Sequence, residues 1–146
     1  MAITSAICNS FKQEILEAEH NFTASTGNTF NLALCDSDAT LGAGTTAYTT
    51  SEEITNTSGT AYSAKGKALT SVTPTLDSST AVCDFGDISW TSASFTARGC
   101  LIFNDSHSTD AAVCAIDFGG DKTVSSGTFT IQFPAAAATT AIIRIA

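Results

Sequence analysis

The sequence predicts an all-β domain, an antiparallel β-sandwich or jelly-roll-like fold with an N-terminal α-helix. Short runs that alternate large apolar with small or polar residues recur from Phe30 onward, which is the period of strands with one buried face. Clusters of Ser, Thr, Gly and Asn separate these runs and supply turn chemistry. Helical spacing of apolar residues is confined to the N-terminal stretch. Repeated short strands after a single helix fit a sandwich or a jelly roll.

Residues 1–22 are expected to form a helical segment and residues 23–146 the β-sandwich, together one compact domain. Ile7, Phe11, Ile15, Ala18 and Phe22 fall on one helix face, and Lys12, Gln13, Glu14, Glu17 and Glu19 fall elsewhere. Ser10 and Gln13 have capping-box form, but Thr4 or Ser5 is the expected cap because Ile7 already belongs to the stripe. The helix should stop near His20 and Asn21.

Strands are expected at residues 30–35, 68–72, 81–88, 94–104, 111–118, 127–133 and 140–145, with Pro134 ending the sixth. Residues 36–67, rich in Gly, Thr and Ser, should hold long loops and short edge strands. The polar run 104–110 lies between two β-rich stretches and reads as a hairpin. Pairing symmetric about His107 sets Phe103 opposite Ala111, Leu101 opposite Val113 and Cys100 opposite Cys114. A second hairpin should join 111–118 to 128–133 through the glycine-containing segment 119–127. In it Phe129, Ile131 and Phe133 point one way and Thr128, Thr130 and Gln132 the other.

Composition narrows the function classes. The 146 residues are 43% hydrophobic and 14% charged, which suits a folded domain and not a disordered tail. A formal charge of -8 with scattered cations repels phosphate backbones, so no nucleic acid partner is expected. No apolar run reaches the roughly 20 residues that span a bilayer, and no charged n-region precedes an apolar stretch. No membrane partner and no secretion signal are therefore expected; the chain should be made in the cytoplasm without a signal peptide. The N-x-[ST] sequences at Asn21, Asn56 and Asn104 are chance in so Thr/Ser-rich a chain.

Catalytic and ligand-binding candidates each meet a structural reading. His20 at the helix end complements the dipole, and His107 sits among hydroxyls and carboxylates that are abundant by composition. Asp36 with Asp38, or Asn104 with Asp105 and Asp110, could offer oxygens to calcium but lack the EF-hand pattern and read as turn residues. The Gly119-Gly120-Asp121-Lys122 turn lacks a phosphate-loop ending. Trp90, Tyr48 and Tyr62 could line a sugar-binding face, with core packing the favoured reading. Glu52 and Glu53 have no identifiable partner carboxylate. No catalytic residue, cofactor or metal site is expected.

The five cysteines contain no C-x-x-C and no nearby His, against zinc or iron–sulfur ligation. In one reading all five are reduced thiols acting as small apolar residues. In the other, Cys100 and Cys114 form an intrachain bridge, and Cys8, Cys35 and Cys83 remain as free thiols or for bonds to another chain.

Four stretches taken together, Ser10-Phe11-Lys12-Gln13-Glu14-Ile15-Leu16, Thr96-Ala97-Arg98-Gly99-Cys100-Leu101-Ile102-Phe103-Asn104-Asp105, Phe118-Gly119-Gly120-Asp121-Lys122 and Gly127-Thr128-Phe129-Thr130-Ile131-Gln132-Phe133-Pro134, resemble small virion structural proteins of tailed bacteriophages. The resemblance spans nearly the whole chain and implies a virion component with no enzyme activity. Within that class the best fit is a capsid decoration (cement) protein on the outer capsid surface, partnered by the major capsid protein and by copies of itself as a homotrimer. The alternatives are a tail or neck component and, from a different class, a carbohydrate-binding module.

Overall fold

The computed structural model describes residues 2–55 and 61–146. In chain order its elements are β1 (Ala6–Ile7), α1 (Asn9–Leu16), β2 (Phe30–Cys35), a 3-10 turn at Thr50–Glu52, β3 (Lys67–Ala68), β4 (Ser71–Asp77), β5 (Thr80–Phe85), β6 (Ile88–Asn104), β7 (Ala111–Ile131) and β8 (Ile143–Ile145). The chain is mostly β, and its two antiparallel sheets have the orders β1-β7-β6-β2-β3 and β4-β5-β8. Aromatic rings join them: Phe30 of β2 stands 6.0 Å from Phe85 of β5, and Phe22 stacks on Phe30 at 4.2 Å.

Burial explains the middle of the larger sheet. Alternate β2 residues Phe30, Leu32 and Leu34 face the smaller sheet, yet Ala33 and Cys35 on the opposite face are equally buried. The same holds for Cys100–Phe103 of β6 and Ala111–Ala115 of β7. Continuous apolar runs of this kind mark strands covered on both faces. The second cover is the loop after β2. It bonds to β7 through Ala47↔Ala111 and to β2 through Cys35↔Glu53, and between these ties the Tyr48 ring lies on Phe103 at 4.7 Å.

Three expectations are corrected. The helix occupies only Asn9–Leu16, because Ala6–Ile7 is claimed as a strand by Ala115 and Cys114 of β7. Its N-cap is Cys8, with no side-chain cap bond, instead of Thr4 or Ser5. The second hairpin does not form; residues 111–131 run as one strand paired with β6 from Asn104↔Ala111 to Ile88↔Ile131. A long partner strand satisfies the backbone of both halves at once, which a local hairpin could not do.

That strand is bent. Between Ala97↔Lys122 and Gly99↔Asp117 four residues of β7, 118–121, bulge against Arg98 alone, and Gly119 there has φ +76°. Residues 118 and 129 would lie about 36 Å apart on a straight strand. Their rings are 6.4 Å apart, so the strand curls and brings Phe118 back onto Phe129.

The helix stops through a Schellman motif. The Glu19 N–H bonds the Glu14 carbonyl at 3.0 Å and the Ala18 N–H bonds the Ile15 carbonyl at 3.3 Å. The left-handed position of this motif, φ +61°, is filled by Ala18 and not by the glycine that adopts it without strain. Ala18→Gly is expected to raise unfolding stability by about 1 kcal/mol; equal or lower stability in urea titrations would show the strain is relieved elsewhere.

Candidate functional site

The helix stop aims two side chains at the β6–β7 hairpin tip, where both histidines of the chain are engaged. Asn104, fully buried, accepts the Ser106 N–H on Oδ1 at 3.0 Å. Its Nδ2 is therefore the donor to the Glu19 carbonyl at 3.3 Å and to His20 Nδ1 at 3.1 Å. His20 Nδ1 then accepts, and Nε2 carries the hydrogen given to Glu14 Oε2 at 2.8 Å. His107 repeats the pattern in the loop: Nδ1 accepts the Thr109 N–H at 3.3 Å and Nε2 lies 2.8 Å from Glu19 Oε2. The two rings stack 6.3 Å apart. The Thr109 hydroxyl lies 3.0 Å from His107 Nδ1, and with Glu14, Glu19 and Asn104 the two imidazoles form a clasp tying the helix end to the hairpin.

A second cluster centres on Glu53, which is 5% exposed. Its carboxylate accepts the Tyr62 hydroxyl at 2.5 Å, the Tyr48 hydroxyl at 2.6 Å and the Lys65 backbone N–H at 3.2 Å. The Tyr62 oxygen in turn accepts the Leu34 N–H of β2 at 2.9 Å. Burial, and then the hydrogen bond to Glu53, holds both phenols well above the usual tyrosine range. Lys65 closes the cluster outward, with Nζ 2.9 Å from both Asp105 and Asp110. Its hydrogen bonds to Asp105 and Asp110 keep its ammonium above the usual lysine range. The acidic loop read as turn residues thus converges on a lysine, while Asp36 caps its own turn through the Asp38 N–H at 2.9 Å.

The pairing of Cys100 with Cys114 is corrected by the register. The hairpin already closes one residue out of the symmetric register, with Phe103 opposite Ala112 and not Ala111. A further shift between Ile102 and Phe103 sets Leu101 opposite Ala115 and not Val113, Cys100 opposite Ile116 and Cys114 opposite Ile102, two positions away from direct opposition. All five cysteines are buried free thiols, so Cys8, Cys35 and Cys83 are not presented to another chain either. Burial is the first cause that raises them, to about 11 at Cys8 and about 12 at Cys35, Cys83 and Cys114. Cys100 is raised by the same cause.

The aromatics weighed for a sugar-binding face pack in the core, the favoured reading: Trp90 is 2% and Tyr62 6% exposed, and the Tyr48 ring is stacked on Phe103. The sequon at Asn104 is buried, and that at Asn56 lies outside the described residues. Apolar surface was the feature that composition did not locate. Leu76 is 73% and Ile145 56% exposed, and both stand in one row across β4-β5-β8 through Ala81. Beside that row Ile145 and Ala81 share a groove of about 170 Å³ with Phe11 and Ile15 of α1, and the next helix residue, Leu16, is 88% exposed. Exposed strand position alternates predictably, but which strand lies at a sheet edge does not show in one sequence. Among the described residues no group of three or more metal-ligating side chains converges, and no helix is long and apolar enough to cross a membrane. No protein-family model, curated protein or solved structure matches the chain.

Tyr62→Phe removes one donor from a buried carboxylate and the acceptor of the Leu34 N–H, and should cost about 2 kcal/mol; urea titration showing less than about 0.5 kcal/mol would remove Glu53 as the anchor of the loop. Folded thiols keep their protons above the ordinary 9.0, so between that value and about 12 the folded chain binds more protons than the unfolded one. Stability should therefore fall as pH rises above about 9, and a thiol-specific reagent should label five cysteines only after denaturation. Rapid native labelling of any cysteine would contradict the buried arrangement.

Proposed function

We propose that this chain is a structural protein of a tailed-bacteriophage virion, and in finer detail a capsid decoration protein that binds the major capsid protein on the outer shell as a homotrimer. The observation that carries the location is the resemblance of the four stretches named above. They fall on α1, on the inner half of β6, on the β7 bulge and on the end of β7, the parts that build the clasp and the bent ribbon. The exposed apolar row of Leu76, Ala81 and Ile145 supports an assembly role. Such a strip on a small acidic domain is costly in water unless a partner covers it. A shell with many equivalent sites multiplies a modest interface, so no single large hot spot is required.

The test is copy number with a matched variant. Quantitative mass spectrometry of purified particles should find on the order of hundreds of copies, as a repeated shell site requires; a few to tens would assign the chain to the neck or tail. Leu76→Asp, at an exposed position, should leave the domain folded and weaken its retention on particles at least about tenfold. Unchanged retention would show that the apolar row is not the contact surface.

A further inference from the structure

The inside of the β7 bend forms a concave apolar groove of about 490 Å³. Its walls come from both arms of the same strand, Ile116 and Phe118 before the bulge and Phe129 and Ile131 after it, with Phe133 and Ile142 closing the end. The volume falls within the range of small-molecule sites, about 300–1,000 Å³. These six side chains are only partly buried although they pack against the core.

One cation stands in this groove. Lys122 is directly opposite Ala97, while Thr96 and Thr123 join their hydroxyls on the other face at 2.8 Å. Directly opposed residues share a face, so Lys122 projects to the side that carries Ala97, Phe95 and Val124, the apolar side. Among the described residues the charged heads of the other five cations each have a partner, side chains for Lys12 (Asn9), Lys65 (Asp105 and Asp110) and Arg98 (Asp117), and backbone carbonyls for Lys67 (Ser89) and Arg144 (Ala138). Lys122 has none among them, in a chain of formal charge -8. The neighbouring acids do not serve it, since Asp117 and Asp121 both turn to Arg98.

We propose that the concave side of the β7 bend binds an amphipathic monocarboxylate, its hydrocarbon chain lying between Phe118 and Phe129 and its carboxylate meeting the Lys122 ammonium. Apolar walls recognise the chain by area removed from water, and the single unpaired cation supplies orientation and selects a negative head over a neutral one. An added β-strand fits less well. Along the free edge the bulge at residues 118–121 interrupts the regular spacing of donors and acceptors that a strand would need. This site is separate from the apolar row on the smaller sheet and does not depend on the virion reading.

The experiment titrates the isotopically labelled full chain with octanoate and, in parallel, with 1-octanol, followed by nuclear magnetic resonance. Saturable octanoate binding is expected, with shifts confined to Phe118, Phe129, Ile131, Phe133 and Ile142. Lys122→Gln should weaken octanoate about fivefold and leave octanol unchanged, and Lys122→Arg should restore octanoate binding. Lack of saturation, shifts centred elsewhere, or equal octanoate affinity in the wild type and Lys122→Gln would overturn the proposal. Self-association of Lys122→Gln with neither probe bound would also overturn it, by showing that Lys122 merely keeps an edge strand from pairing.

Discussion

Where β2, β6 and β7 meet in the middle of the larger sheet, neither face is open to water, and most of the architecture follows from having to cover that region twice. Phe30, Leu32 and Leu34 are met by the smaller sheet, but Ala33, Cys35, Leu101 and Phe103 would stand in water unless something lay over them. The segment between β2 and β3 does so. It is short of large apolar residues, so burial alone holds it weakly, and the Glu53 carboxylate compensates by gathering Tyr48, Tyr62 and the Lys65 backbone into one buried knot. A charge placed in such a position is tolerated because three donors replace its water. The knot also reaches β2 through Tyr62 and the hairpin loop through Lys65, so the loop, the sheet and the hairpin are fixed relative to one another.

The same economy governs the chain's other polar groups. His20, His107, Glu14 and Glu19 sit at the one place where the helix end meets the hairpin tip, and Asn104 is buried between them. These groups join segments far apart in sequence. Away from them lie two apolar surfaces, a row on the smaller sheet and the concave side of the bent ribbon.

Legibility in the sequence followed the range of the interactions. Phe30 to Cys35 announces itself by alternation, and the β6–β7 hairpin by a polar run between two apolar ones; both are local signals and both elements form where expected. Ile7 joined the helical stripe by spacing, yet it pairs with Cys114, a preference set by a strand more than a hundred residues away. Residues 119–127 carry real turn chemistry, but the glycines serve a bulge within a continuous strand because β6 is long enough to pair on both sides of it. The one-residue offset at the hairpin tip and the further shift after Ile102 had no signal at all, and with them the apparent facing of Cys100 and Cys114 was lost. The Glu53 knot was equally hidden, since its members are separated by loops whose course depends on the sheet beneath.

The thiols carry a consequence for where such a domain can exist. Five cysteines of one core, each buried and unbonded, contribute volume and no covalent link. The native state therefore has no electron count attached to it: neither glutathione nor an oxidising exterior adds or removes a bond on which the fold relies. A chain built in this way can be completed in a reducing compartment and keep its shape in an oxidising one, held by its packing and its buried hydrogen bonds.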